Sequence, residues 1–533
     1  MGFDTDIFND SQLSADYVEW LVDQKSISIH RHFVKLWEYY ANQMTDVSVV
    51  GWYDGKAGES GRCYLQAQEY GLPPRITGYV HSANTGIFGG RAIKDVQRKE
   101  VVIENDIAWR INSGVDFLFG KPISFVSRSP RVSKRAEIES ILKAVFAANG
   151  GIGFFQDMAV LGSVYGFVDC IVRPSEQITE QLIFPPSYPS TLGLHESSIL
   201  SESGKVEMLE NVLQLAQTID LELIEAPRAL PILEEGNYKK IRYYVQHFHE
   251  KKNGVNRKNS FLSRLLSATN RGTSDCRQTL AVTEILSAKA WQRYENGQLV
   301  AEGEFGWDFL PVVHIQNIVQ PYFYEGISDA EPLIPLQDEL NTRLSDRANR
   351  ITFQSFKMYL GKGIEGFENR PVSPGRMWCT DNPEASIEEF GGDQVMPSED
   401  VHIAEIREAM DKTSSVTPLV AGVLKNKLGN LSSAVALKLT LMGMLSKTER
   451  KRFTYGEGLK KICGMVLEIL DKTNIYRTNR SDREIDIIFP SPLPENVMEK
   501  LKEAQIKKEL GVPPEQVLRE LGYETAVQET NIK

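Results

Sequence analysis

The sequence predicts an α+β protein, mainly helical, whose long helices are joined by small β units. Three observations predict it. Apolar residues recur at 3–4 spacing over most of the chain. Between Asn237 and Ile318 the period falls to two. Ser328 to Lys472 reads as a thin-striped helix, a Gly/Pro-rich β excursion, a short helix, a polar loop and a very long helix. That order suits a subunit that lends two wall helices and a loop to a ring.

Bulk properties narrow the classes. At 533 residues the chain exceeds the roughly 250–300 that one core organises. It is 41% hydrophobic and 25% charged, enough for a large core. No run approaches the ~18 apolar residues of a membrane span. Met1 to Asp6 is acidic and polar, so no secretory leader is expected, and position 6 lacks the Ser or Thr of a myristoylation signal. Cys63, Cys170, Cys276, Cys379 and Cys463 are scattered, which suits a reducing compartment and argues against a disulfide framework or structural zinc. Asn9-Asp10-Ser11 and Asn430-Leu431-Ser432 match the glycosylation pattern, but without a leader they read as chance. The net charge of −11 is unlike that of proteins that grip DNA tightly. An acidic protein that handles DNA would have to let it slide.

The first ~50 residues read as helical, with Tyr17, Trp20 and Leu21 on one face and Phe33, Leu36, Trp37 and Tyr40 on the next. Gly51 to Gly90 is irregular. Val101 to Phe119 is an amphipathic helix stopped by Gly120-Lys121-Pro122, and Ile123 to Val126 is a strand. A helix from Ser133 buries Ile138, Ile141, Leu142 and Val145, then ends at Asn149-Gly150. Phe154 to Tyr165 leads into a strand, Val168 to Val172.

Arg242 to His249, Ala288 to Tyr294 and Leu299 to Phe305 read as strands. Glu295-Asn296-Gly297-Gln298 is a hairpin turn, because Asn-Gly tolerates the positive φ of type I′. Lys251 to Arg277, rich in Lys, Arg, Asn, Ser and Gly, reads as an exposed loop in that sheet.

Ser328 reads as an N-cap, with Asp329 and Glu331 in the first turn complementing the helix dipole. The stripe is Leu333, Leu336, Leu340, Leu344, Ala348 and Ile351, narrow enough for helix-against-helix packing. Asp329 to Gln354 would span ~39 Å. Met358 to Leu360 and Arg376 to Cys379 are strands with turns between. Ser398 caps a helix with stripe Ile403, Ile406 and Met410, ended by Pro418. Val420 to Asn430 is a polar loop. Next comes a helix from Ser432 or Ser433 to about Lys472, with a kink expected at Gly456-Glu457-Gly458. Glu484 to Phe489 is a strand, and Glu495 to Leu510 a charged helix.

Catalytic motifs are weak. Gly361-Lys362-Gly363-Ile364-Glu365-Gly366 fits GxGxxG, but Phe367-Glu368-Asn369-Arg370-Pro371 after it does not read as a helix, so the glycines read as turn residues. There is no Walker A pattern. His247 and His249 share a strand face, but a metal needs a third ligand and Glu250 points away. Glu388-Glu389 reads as an exposed turn. No catalytic residue, metal or cofactor is expected.

Several phrases, in order, resemble the portal (head-to-tail connector) proteins of tailed double-stranded DNA bacteriophages. They are Asn105-Asp106-Ile107 through Phe119-Gly120-Lys121-Pro122-Ile123, Val160 to Gly166, and Leu310 to His314 with Asn317. Gly326 to Asp329, Leu340-Asn341, Leu344-Ser345-Asp346, Ser432 to Lys438, and Ile487 to Phe489 with Pro494 continue the series. Ser433 stands where the family usually has glycine. The resemblance covers most of Ile103 to Tyr523, leaving out residues 1–100 and the segment near 251–277.

The resemblance implies a ring of wing, stem, clip and crown around a central channel, usually of twelve subunits. Residues 1–328 and 433–489 would form the wing, 329–354 and 398–417 the stem, 355–397 the clip, 418–432 the tunnel loop and 490–533 the crown. Leu333, Leu336, Leu340, Leu344, Ile351, Ile403, Ile406 and Met410 would pack the stem. Glu365, Glu368, Arg370 and Arg376 would face the large terminase subunit and a head-completion adaptor. Lys425, Asn426, Lys427 and Asn430 would face non-specifically bound duplex DNA. Partners would include the major capsid protein and scaffold. The location would be the virion, with host cytoplasm during assembly and no membrane. The chain itself would not be an enzyme. Alternative readings are a nucleotide- or nucleic-acid-processing enzyme, or another ring-forming virion scaffold protein.

Overall fold

The computed structural model describes residues 3–10, 12–41, 102–175, 178, 202–252, 278–355, 358–362, 383–390, 397–417, 438–493, 497–512, 514 and 517. The chain begins with α1 (Ala15–Trp20), capped by Ser14, whose Oγ accepts the Tyr17 N–H at 3.2 Å. One π turn (Leu21–Lys25) carries it into α2 (Ser26–Ala41). The buried stripe is Val18, Leu21 and Val22, not the expected Tyr17-Trp20-Leu21 face. Tyr17 and Trp20 instead stack on each other outside, ring centroids 5.8 Å apart.

Next come α3 (Asp106–Phe119), β1 (Ser124–Ser127), α4 (Val132–Ala148) and α5 (Ile152–Tyr165). The buried residues expected of α4 are all at its core face. Asn149 ends that helix: its Nδ2 donates to Val145 O, and its Oδ1 accepts the Leu221 N–H at 2.8 Å. Gly166, at φ 93°, ends α5 and turns the chain into β2 (Phe167–Arg173). Then come α6 (Glu202–Ala216) and strands β3 (Asp220–Ile224), β4 (Ala229–Glu234), β5 (Asn237–Lys252), β6 (Gln278–Leu286), β7 (Ala290–Glu295), β8 (Gln298–Glu304) and β9 (Val312–Gln316).

Among the described residues these strands form two antiparallel sheets, in the orders β3-β2-β9 and β4-β5-β6-β7-β8. The predicted hairpin is present. Glu295 pairs with Gln298, and Asn296 and Gly297 have φ 50° and 77°. A small core of Phe3, Leu13, Val18, Leu21, Leu230, Tyr243, Val245, Ile285 and Tyr294 seats the N-terminal segment on the five-stranded sheet.

A 3-10 turn (Glu331–Leu333) opens α7 (Ile334–Ser355). Beyond it lie β10 (Met358–Lys362), β11 (Ser386–Phe390), α8 (Pro397–Ser414), α9 (Met442–Lys472), β12 (Ile485–Ile488) and α10 (Val497–Glu509). β10 and β11 pair antiparallel, and β1 pairs with β12. Glu388 and Glu389 therefore lie in a strand, opposite Leu360 and Tyr359, rather than in a turn. The expected strand Arg376 to Cys379 lies outside the described residues.

The main core runs continuously from α2 and α3 through α4, α5 and β2 to α9 and β12. The helix runs unbroken through Gly456 and Gly458, where the sequence suggested a kink between two stripes. Gly458 also allows a close approach, which Gly456 does not need. A Cβ at Gly458 would lie 2.4 Å from Ile315 Cγ1, and one at Gly456 would lie 3.4 Å from the Phe489 ring. Among the described residues no single helix is long and apolar enough to cross a membrane. The bent pair α4–α5 has the composition, but its apolar side chains belong largely to the main core.

Candidate functional site

The candidate site is the paired helices α7 and α8 and the joint that roots them. The predicted apolar stripe is half of the buried face of α7. Leu333 and Leu340 are buried, and Leu336 and Leu344 pack against the core. Beside them runs a polar stripe at 4-residue spacing: Gln337, Asn341 and Ser345, all buried. It zips onto the extended segment before α3. Val102 N–H donates to Ser345 Oγ at 2.9 Å, Glu104 N–H to Asn341 Oδ1 at 3.0 Å, and Gln337 Nε2 to Glu104 O at 2.6 Å. These side chains pair three part-buried backbone groups of that segment.

α8 lies antiparallel to α7. Near the β10–β11 end, Arg350 pairs with Glu399 and Arg347 with Asp400, the latter at 3.0 Å. Further along, His402 lies 3.3 Å from Glu339. Ile403, Ile406 and Met410 complete the inner face of α8 and are buried, whereas Ile351 is 52% exposed.

At the root of the pair, charge is buried. Ser328 Oγ accepts the N–H groups of Ala330 and Glu331 and donates to Val164 O, so it does cap the turn. Asp329 lies just ahead of the first turn rather than within it, where the sequence expected it. It is 9% exposed, with Lys447 Nζ 2.8 Å from Oδ1 and Lys451 Nζ 2.5 Å from Oδ2. Burial alone would raise the Asp329 carboxyl, but Lys451 and Lys447 together outweigh it and hold it well below the usual carboxylate range. Burial lowers the Lys451 ammonium, and Asp329 opposes that shift. Lys451 also donates to Ser163 Oγ. Tyr455 donates to Asn317 Oδ1 beside it.

A second buried cation sits next door. Arg110 Nη1 lies 2.7 Å from Asp411 Oδ1, and donates to Ser414 Oγ at 3.0 Å and Val416 O at 3.1 Å. Lys447 joins the two clusters, donating to Ser414 O at 2.9 Å. Between them lies a cavity of about 20 Å³, lined by Arg110, Asp329, Ser414, Lys447 and Lys451 among others.

A third polar knot anchors the loop before the root. Asp169 is fully buried and accepts from the hydroxyls of Tyr244 and Tyr324, both at 2.9 Å. His314 Nδ1 lies 2.7 Å from Asp169, and its Nε2 lies 2.8 Å from Tyr324 O. An Asp–His pair can serve catalysis by orienting a base toward a nucleophile. Here both ring nitrogens are occupied and Tyr324 stacks on the imidazole, so the group ties the loop down.

Lys425, Asn426, Lys427 and Asn430, expected in a tunnel loop, and Glu365, Glu368, Arg370 and Arg376, expected in a clip, lie outside the described residues. So does the GxGxxG phrase after Lys362. His247 Nδ1 is 2.9 Å from Thr283 Oγ1, and its ring meets that of His249 edge-on. Among the described residues no group of three or more His, Cys, Asp or Glu is placed to hold a metal ion.

Sequence reasoning missed Arg110, Asp329, Lys447 and Lys451 as a unit. The available signal was phase. Lys451 falls on the buried stripe Met444, Thr448, Tyr455 and Leu459, and Arg110 lies between Ile107 and Ile111.

No curated protein matches the chain. Solved structures that overlap it include a chain from the virion of a native gene transfer agent (GTA) particle, at 11% identity and TM-score 0.35, over 79% of this chain and 90% of that one. Another comes from the neck of an empty GTA particle, at 12% identity and TM-score 0.38, over 79% and 91%. The assignment rests instead on sequence: the family described as Phage portal protein, SPP1 Gp6-like, matches residues 210–529, more than half of the chain. This chain belongs to that phage portal family.

Proposed function

We propose that this chain is the subunit of a portal ring, a channel at one capsid vertex through which double-stranded DNA is packaged and later ejected. Membership of the portal family over residues 210–529 carries the reading. The antiparallel α7–α8 pair supports it, since two such struts per subunit can wall a hole when copies lean together. In this reading 329–354 and 398–417 are stem, 355–397 clip, 418–432 tunnel loop and 490–533 crown, with the remainder wing.

The apolar stripes of both struts serve mainly to root them in their own wing. Contacts with neighbouring copies then fall to residues left outside, such as Ile351 and Val401, 52% and 56% exposed. Ring number is set by small interface angles, and twelve is the expectation. Glu365, Glu368, Arg370 and Arg376 would meet the large terminase subunit, which supplies the energy, and later a head-completion adaptor. The ring would sit among major capsid protein and scaffold, in the host cytoplasm during assembly and then in the virion.

A net charge of −11 makes the channel poorly adhesive, because duplex DNA gains no net counterion release from an acidic wall. Lys425 and Lys427 would supply weak, sequence-independent phosphate contacts. The test is the double variant Lys425→Ala, Lys427→Ala. The expected result is ring assembly with altered DNA packaging or retention. Full heads indistinguishable from wild type would remove the role given to the loop.

A further inference from the structure

At the root of the struts, three buried cations carry more donors than their described neighbours accept. An ammonium has three N–H donors. Lys447 Nζ uses two, on Asp329 Oδ1 at 2.8 Å and on Ser414 O at 2.9 Å. Lys451 Nζ uses two, on Asp329 Oδ2 and, at 2.8 Å, on Ser163 Oγ. Arg110, 4% exposed, engages both Nη atoms, but its Nε is buried with no partner among the described residues. Ser414 Oγ has no capacity left: it accepts from Arg110 Nη1 and the Val416 N–H and donates to Met410 O. A donor left unmet in a buried setting keeps its full desolvation penalty.

The same three cations line the cavity where α3, α8 and α9 meet. Its volume of about 20 Å³ exceeds the roughly 10–15 Å³ that one water needs. Gly114 lines it too. This residue sits inside α3, where glycine is a poor helix former, and a Cβ there would meet nothing within 4 Å. The helix therefore leaves open a space that alanine would take. Thr448 adds an acceptor to the wall, since its Oγ1 donates to Met444 O and has lone pairs to spare. We propose that this cavity is the binding site of one internal water molecule, which bridges the foot of the first strut to the long helix. The water oxygen accepts from two of the three spare donors, and its protons go to Thr448 Oγ1 and Asp329 Oδ1. That makes four partners, within the two to four that buried waters keep. Charge selects the ligand. Arg110, Lys447 and Lys451 are matched by Asp106, Asp329 and Asp411, so the neutral cluster gains little from a buried anion. An apolar ligand would leave every spare donor unmet.

The experiment uses the full-length protein. A crystal structure at a resolution that shows ordered water should contain one peak in the cavity, within hydrogen-bond distance of at least two of Arg110 Nε, Lys447 Nζ and Lys451 Nζ. Soaking in sodium bromide should add no anomalous signal there. An empty cavity, or a peak that bromide replaces, overturns the proposal. Thermal melts give an independent reading through their sign. With nothing to displace, Gly114→Ala should melt about 2 °C higher, from helix propensity alone. Displacing the water leaves the donors unmet, so the variant should instead melt below wild type. Thr448→Val keeps the volume but removes the acceptor, and should also melt lower. The two changes together should cost less than their sum, because either one already disturbs the same water. A higher melting temperature for Gly114→Ala, or full additivity of the pair, contradicts the site. Should Gly114→Ala not fold, Thr448→Val and the wild-type map decide, and a rise on Thr448→Val counts as failure.

Discussion

Lys447 Nζ lies 2.8 Å from Asp329 Oδ1, bringing the first turns of the long helix to the foot of the first strut. Removing the carboxylate would leave Lys447 and Lys451 facing each other in a buried site. Asp329→Asn should cost about 3–5 kcal/mol, the range for breaking a buried pair by deleting one partner. Denaturant unfolding of the purified protein measures it. A cost below about 1 kcal/mol would mean that the lysines find water.

Gly456 and Gly458 of α9 should respond oppositely to alanine. Gly458→Ala drives a Cβ into Ile315 and should destabilise by about 1–3 kcal/mol. Pairing it with Ile315→Ala should cost less than the sum of the two changes. Gly456→Ala meets the Phe489 ring at ordinary contact distance and should be neutral or stabilising by up to about 1 kcal/mol, from helix propensity. Thermal melts of Gly456→Ala, Gly458→Ala, Ile315→Ala and the Gly458→Ala, Ile315→Ala pair check the ordering.

Asn341→Ala removes the acceptor of the Glu104 N–H in a buried setting. The expected loss is about 1–3 kcal/mol. Faster amide exchange at Glu104 should accompany it, measurable by hydrogen–deuterium exchange.

His247 gives the fold an acid-sensitive point. Burial first, then the neighbouring His249 and His30, push its imidazole down to about 4. The unfolded chain takes up that proton near the ordinary value of about 6.5. Stability supplied by the neutral ring is therefore full above about 6.5, declines as pH falls toward 4, and changes no further below it. His247→Gln should flatten the melting-temperature profile between those limits. An unchanged slope would assign the acid sensitivity elsewhere.

Exposed strut pairs should matter little. Arg347 and Asp400 are 42% and 55% exposed, so Arg347→Ala should change stability by less than about 1 kcal/mol, and less still at high salt.

Local periodicity made most helices legible. The α4 stripe, the Asn149-Gly150 stop, the Asn296-Gly297 hairpin, the apolar half of the inner face of α7 and the inner face of α8 all come from spacing and turn chemistry. What stayed hidden depends on long-range partners. Gln337, Asn341 and Ser345 read as solvent-facing polar residues until residues 102–104 are laid beside them. Asp329 reads as a dipole partner until α9 arrives from more than a hundred positions away. Gly458 reads as helix weakness until Ile315 supplies the packing that requires it. β3, β4 and β6 were missed because their pairing partners, rather than their own period, decide their state.

Direct imaging tests the central claim most simply. Negative-stain electron microscopy of the purified full-length protein should show annular particles of uniform diameter with a central hole. Fields of solitary subunits under the same conditions, with no annulus at any protein concentration, would contradict the account.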